Sequence, residues 1–233
     1  MTASSPREDL RERVARVLAD IAAACARAGR DPAEVTLVAV TKEHPADVVA
    51  AGLEAGLTDF GENYVAELVE KRGVVAHARW HFIGTLQGRS APAVAEHADV
   101  VHSAVPGRAV ERLARRAQEL GRSLPVLVQV DYAGRGTAVT PDGVEAAIES
   151  LRALPGLRVA GLMTLPPPGD PQEARPVFAR LRKLRDDLRI RAPEVQELSM
   201  GMSLDYEIAV EEGATMVRVG TALFGPRMST ASG

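Results

Sequence analysis

The feature that most restricts this chain is an alternation in which short β-branched runs are each followed by a longer amphipathic segment. Neighbouring parallel strands need a crossover, usually a helix, so the pattern reads as consecutive βα units and not as hairpins or a helical bundle. Eight such runs occur: VTLVAVT (35–41), TDFGE (58–62), RWHFIG (79–84), ADVVHS (98–103), LPVLVQVD (124–131), LRVAGLMT (157–164), VQELSMG (195–201) and TMVRVG (215–220). Helical spacing fills the intervals at 46–55, 64–72, 108–120, 141–154, 171–190 and 204–212. Eight strands with eight crossovers predict an α/β fold, a single (β/α)8 TIM barrel with an extra N-terminal helix. A doubly wound open sheet is the runner-up, because periodicity does not reveal closure.

The extra helix is predicted from Ser5, Pro6, Glu8 and Asp9, a helix-start signal, followed by Leu10, Val14, Leu18, Ile21 and Cys25 and ending near Gly29. The expected organisation is one domain over 1–233, with the N-terminal helix within 1–30, the barrel over 35–226 and a flexible tail at 227–233. A hydrophobic content of 46% is enough for a large core. A net charge of -3 gives no electrostatic ground for a nucleic-acid or anionic-membrane partner. The opening residues lack an apolar signal core and no stretch has the apolar length of a membrane span, so a cytoplasmic location is expected. Cys25, the single cysteine, cannot close an internal disulfide and reads as a packing residue. His44, His77, His97 and His102 lack metal-ligand spacing, so no metal site is expected.

In a barrel of this kind, ligand-binding residues collect at the C-terminal ends of the strands. That rule selects Lys42, Glu62, Asn63, His81, Gly84, Met163, Thr164, Ser199, Gly201, Gly220 and Thr221. SMGMS (199–203) and GTALFG (220–225) follow the seventh and eighth strands, where free N–H groups at a helix start commonly hold a phosphate. Taken singly, Gly201 and Gly220 read as turn glycines and Ser203 as a helix cap; side by side, the two loops favour phosphate. Lys42 reads either as a snorkelling lysine or as an amine that condenses with an aldehyde. Pyridoxal 5'-phosphate (PLP) supplies both the aldehyde and the phosphate. Arg218, two residues before Gly220, shares its strand face and needs either a carboxylate partner or a ligand such as a pyridine nitrogen. His81 beside Trp80 and Phe82 reads first as a core histidine, and Asn63 as a cap. The absence of a G-x-S-x-G elbow disfavours a serine hydrolase, and YAGRGTAV (132–139) lacks the context of a dinucleotide fingerprint.

The stretches VAVTKEHP, FGENYVAE, WHFIGTLQGR, GLMT, LSMGMSLD and GATMVRVGTALFG run in order from about 35 to 226, and in them the chain resembles the pyridoxal phosphate homeostasis proteins, single-domain relatives of the alanine racemase barrel. The resemblance implies a Schiff base on Lys42, with Ser199, Gly201, Gly220 and Thr221 around the phosphate and Arg218 facing the pyridine nitrogen. It implies further that Asn63, His81 and Met163 line the ring. Glu43 and His44 depart from the family's VSKTKP pattern, Gly88 and Arg89 from its LQ-x-NK ending, and Arg135 stands where many relatives carry a second lysine.

The expected function is therefore non-catalytic PLP binding in intracellular PLP homeostasis, with no catalytic residue; the alternative is an amino-acid racemase-like PLP enzyme. The racemase uses a tyrosine from an additional domain, and Tyr64, Tyr132 and Tyr206 offer no required equivalent. Expected partners are PLP and PLP-dependent apoenzymes, and the expected state is a monomer.

Overall fold

The structure, a computed structural model, describes residues 6–75 and 77–225. Ser5 and the segment 227–233 therefore lie outside the described residues. Eight parallel strands close into a barrel in sequence order: β1 (Thr36–Val40), β2 (Asp59–Glu62), β3 (Arg79–Phe82), β4 (Val100–Ala104), β5 (Leu124–Val130), β6 (Leu157–Thr164), β7 (Glu197–Ser199) and β8 (Met216–Val219). β1 pairs with both β2 and β8, so the sheet has no free edge and the open-sheet alternative does not apply.

Around it lie α1 (Pro6–Ala28), α2 (Ala46–Glu54), α3 (Val65–Val74), α4 (Ala91–His97), α5 (Arg108–Glu119), α6 (Val144–Arg152), α7 (Pro171–Leu188), α8 (Tyr206–Glu211) and the short α9 (Thr221–Phe224). Gly29, at φ +65°, terminates α1 in the left-handed conformation that suits a helix C-terminus. The buried stripe of α1 is Leu10, Val14, Val17, Ile21, Ala24 and Cys25. Leu18, expected on that stripe, is 49% exposed; an ideal helix repeats every 3.6 residues, and position 17 completes the face better than 18. The strand alternation sends Trp80 and Phe82 outward toward the helices and His81 inward, where its ring meets His102.

Inward-facing positions form the second, smaller core, where Val100, Leu127 and Met163 pack together. This layer is interrupted by polar groups that set the geometry of the barrel mouth.

Candidate functional site

Lys42, half-buried, follows β1 by two residues, and both its neighbours are pinned. Thr41 Oγ1 donates to Glu62 Oε1 at 2.5 Å, and the Thr41 carbonyl accepts from Lys71 Nζ at 2.7 Å. The Glu43 N–H donates to Glu67 Oε2 at 2.8 Å. Lys71 Nζ donates also to Glu62 Oε1 and Glu67 Oε2, each at 2.6 Å, so all three of its N–H groups have acceptors. Glu43, at φ +63°, is the only non-glycine with positive φ among the described residues, a conformation that costs about 1–2 kcal/mol. Buried charge on α3 and β2 thus fixes the turn that carries Lys42. Burial pushes the Glu62 carboxyl above its ordinary value, and the hydrogen bonds from Lys71 and Thr41 pull it back only in part. Glu62 Oε2 and Asn63 Oδ1 are buried without a hydrogen-bond partner.

Asn63 does not cap α3. Tyr64 stands at the cap position, with no side-chain cap bond. The Asn63 backbone carbonyl instead occupies the place where a side chain on residue 84 would begin, so only glycine lets the loops after β2 and β3 meet.

Arg218 is buried in β8. Its Nη1 donates to Ser199 Oγ at 2.5 Å and its Nη2 to the Thr164 carbonyl at 3.0 Å. Burial pulls the guanidinium down to about 10, opposed by the Asp205 carboxylate, which leaves it protonated at neutral pH. Ser199 Oγ also lies 2.7 Å from His102 Nδ1. His102 Nε2 is 2.8 Å from His81 Nδ1, and His81 Nε2 is 2.9 Å from Asp59 Oδ1. Burial lowers both imidazoles below their ordinary value, His102 well below it, so both are neutral at pH 7.

The loop after β8 presents two amides to one oxygen. Ser203 Oγ accepts from the Gly220 N–H at 3.1 Å and from the Ala222 N–H at 3.3 Å. Gly201 sits at φ +91°, and a Cβ there would stand 2.5 Å from the Ala209 Cβ, so this turn needs glycine twice over. Thr221 opens α9 and is exposed.

At the opposite end of the barrel a cavity of about 90 Å³ is lined by Arg79, Arg158, Glu197 and Met216, and no expected site residue borders it. Among the described residues no His, Cys, Asp or Glu cluster is arranged to hold a metal, and no helix is long and apolar enough to cross a membrane.

Comparison with known proteins bears on this geometry. The family described as alanine racemase, N-terminal domain, matches residues 14–228. The pyridoxal phosphate homeostasis protein of Pseudomonas aeruginosa is 42% identical over 221 residues, which cover 93% of this chain and 95% of that protein. That of Aquifex aeolicus is 38% identical over 222 residues, covering 93% and 97%. The chain belongs to the pyridoxal phosphate homeostasis protein family. PipY of Synechococcus elongatus, solved with PLP bound, has the same fold with a TM-score of 0.81, 37% identity, and coverage of 93% of this chain and all of that one.

Within this member of the pyridoxal phosphate homeostasis protein family, the expected residues divide by location. Lys42, Asn63, Gly201 and Gly220 sit in the loops that follow strands β1, β2, β7 and β8, and Thr221 is the first residue of α9. His81, Met163, Ser199 and Arg218 lie within strands. Their side chains are buried. Ser199, expected beside the phosphate loops, has its hydroxyl engaged by Arg218 and His102. His81 has both ring nitrogens engaged inside the barrel. The hydroxyl at the loop amides belongs to Ser203. Sequence reading assigns no role to Asp59, Lys71 or His102. Asp59 has only its place as the second residue of the TDFGE run as a signal, and Lys71 looks like any solvated helix lysine. Arg135 donates to the Pro166 carbonyl at 3.1 Å, tying the loop after β5 to the one after β6.

Proposed function

We propose that this chain is a non-catalytic PLP-binding protein of intracellular PLP homeostasis, with Lys42 as the covalent anchor. The observation that carries the reading is a convergence within one barrel of three groups: a lysine whose flanking residues are pinned, a buried guanidinium, and two loop amides aimed at one oxygen. The names of the Pseudomonas and Aquifex relatives and the PLP-bound PipY structure support it.

The residues fit the group. The amides of Gly220 and Ala222 already meet a hydroxyl oxygen, the disposition in which a phosphate oxygen would accept them. Glu62 Oε2 and Asn63 Oδ1 keep unused acceptor capacity beside the Lys42 turn. When bound, PLP supplies an aldehyde for an amine and an aromatic ring that can act as an electron sink. Lys42 is the residue that would hold the aldehyde carbon, and Arg218 the donor to the ring nitrogen. A guanidinium that stays protonated leaves that nitrogen without a proton, which weakens the sink and suits storage over carbanion chemistry. Inside the barrel, Met163 packs with Val100 and Leu127, and His81 is held by His102 and Asp59; both would face the ring from that side.

The racemase-like alternative needs a second acid–base group. The Tyr206 hydroxyl donates to Asp20 Oδ2 on α1 at 2.8 Å, and burial raises its phenol far above the working range. The Tyr132 ring lies 4.6 Å beneath the Arg180 guanidinium. Both engagements favour the carrier. We infer PLP-dependent apoenzymes as recipients, a monomeric state and a cytoplasmic location. The decisive test is to load the protein with PLP, reduce with borohydride and map the adduct by mass spectrometry. A pyridoxyl group on Lys42 is expected; colourless protein that takes up no PLP would overturn the reading, and rapid α-proton exchange on added L-amino acids would overturn its non-catalytic part.

A further inference from the structure

Four hydrogen bonds join Arg218, Ser199, His102, His81 and Asp59 into one chain, buried as far as His81 and partly exposed at Asp59, that crosses the barrel interior from β8 and β7 to β4, β3 and β2. Its ends are chemically fixed. A guanidinium has no acceptor, so Arg218 must donate to Ser199; an ionised carboxylate has no donor, so Asp59 must accept from His81. Between them one assignment satisfies every member. Ser199 gives its single proton to His102 Nδ1, His102 gives its Nε2–H to His81 Nδ1, and His81 gives its Nε2–H to Asp59. Any reversed imidazole would leave the Ser199 proton, or a ring nitrogen, facing a group of its own kind among Ser199, His102 and His81, whose side chains are all buried. Both histidines are neutral in this assignment, in agreement with the direction in which burial moves them.

We propose that His102, His81 and Asp59 are positioning residues for the ring-nitrogen side of the cofactor site: their one-way hydrogen-bond chain fixes the Ser199 hydroxyl and, through it, the orientation of the Arg218 guanidinium. This rests on the reading above in which Arg218 faces the ring of PLP. The consequence for Ser199 is specific. Its proton is committed to His102, so it serves the guanidinium as an acceptor and gives nothing to the phosphate.

Two measurements test this, one on the free protein and one on the loaded protein. In the free protein, ¹⁵N NMR of the imidazoles at pH 7.5 is expected to show His81 and His102 both neutral with the proton on Nε2; an Nδ1–H tautomer or an imidazolium at either would overturn the proposal whatever any variant does. In the loaded protein the chain is broken at His102, a neutral residue whose replacement changes no charge near Arg218. His102→Leu is expected to shift the absorption maximum of bound PLP and weaken its retention about twofold to thirtyfold, the range for residues that act through a network. His102→Gln, whose amide can donate to His81 and accept from Ser199, is expected to return both toward wild type. A residue that only fills space would change the melting temperature in both variants and leave the spectrum alone, and that result would overturn the proposal. Wild-type protein that takes up no PLP would overturn the functional reading and this inference together. Uptake with an unshifted His102→Leu spectrum would overturn this inference alone.

Discussion

Behind Lys42, opposite charges touch: the Lys71 ammonium lies 2.6 Å from Glu62 and from Glu67, and one oxygen of Glu62 is left over. Beneath Arg218 they are kept apart, with a hydroxyl and two neutral imidazoles relaying donor to acceptor between guanidinium and carboxylate. Both networks are largely buried and each ends in one partly exposed carboxylate, Glu67 or Asp59, yet the first is held by Coulomb attraction and the second by hydrogen-bond direction. A desolvated ion pair tolerates some rotation of its partners but not the loss of either one. A directed chain loses its order when any link turns over, although each link carries little by itself. The first network suits the anchoring of a turn, and the second the holding of a side chain in one orientation.

The largest expected effect comes from breaking the ion pair on one side only. Lys71→Met leaves the Glu62 carboxyl buried without its cation and should cost about 3–5 kcal/mol in urea unfolding. Adding Glu62→Gln should recover most of that, because the cost arises from the orphaned charge. If the double variant is as unstable as the single one, the cluster acts by shape and not by charge. The Lys42 turn should loosen in the single variant as well, read as slower formation of the borohydride-trapped PLP adduct.

Acid separates the two networks by sign. The histidines have lowered values in the folded state, so the unfolded chain binds protons first. The stability they give is complete above the ordinary histidine value near 6.5 and is lost as pH falls below it. Glu62 behaves in the opposite way: its raised value gives stability that is present below its ordinary value of 4.5 and declines as pH rises through the folded one. The difference between wild type and His102→Leu isolates one histidine. It should slope by up to about 1.4 kcal/mol per pH unit below 6.5, measured by urea titration at pH 7.5, 6.5 and 5.5. A flat difference would mean that His102 takes up its proton in the folded protein over the same pH range as in the unfolded chain.

The contrast also separates what is legible in the amino-acid sequence from what is not. The eight strands are legible because β-branched runs and helical spacing are local properties. The helix α4 escapes such a reading: APAVAEH is short and carries Pro92, which is acceptable near a helix start but looks like a breaker in a linear scan. The places of Lys42, just after β1, and of Arg218, inside β8, are legible from strand position and parity. The partners behind them are not. His102 meets Ser199 across 97 residues, and Lys71 meets Thr41 from a helix where an exposed lysine looks the same in sequence. Ser199 reads as part of the phosphate loops because it opens the SMGMS stretch, yet it is the last residue of β7, where strand alternation turns it into the barrel.

Ser199→Ala is expected to be milder than loss of Lys71. It leaves the His102 Nδ1 acceptor and one Arg218 donor unpaired, at a cost of about 1–3 kcal/mol, and should shift the spectrum of bound PLP in the same direction as His102→Leu. A shift in the opposite direction would mean that the serine touches the cofactor directly.

The smallest effect belongs to the other serine of the same motif. Four residues beyond Ser199, Ser203 accepts two loop amides and takes no part in the interior chain. In free protein Ser203→Ala exposes those amides to water and should cost about 1 kcal/mol, the usual value of a lost helix cap. In loaded protein the outcome depends on what else accepts the amides. If a phosphate oxygen takes them, the gap between wild type and Ser203→Ala in thermal unfolding should narrow as PLP is added, whereas the gap for Ser199→Ala should persist or widen. Equal narrowing for both serines would show that the phosphate reaches Ser199 too, and the separation between an interior chain and a loop cap would then be lost.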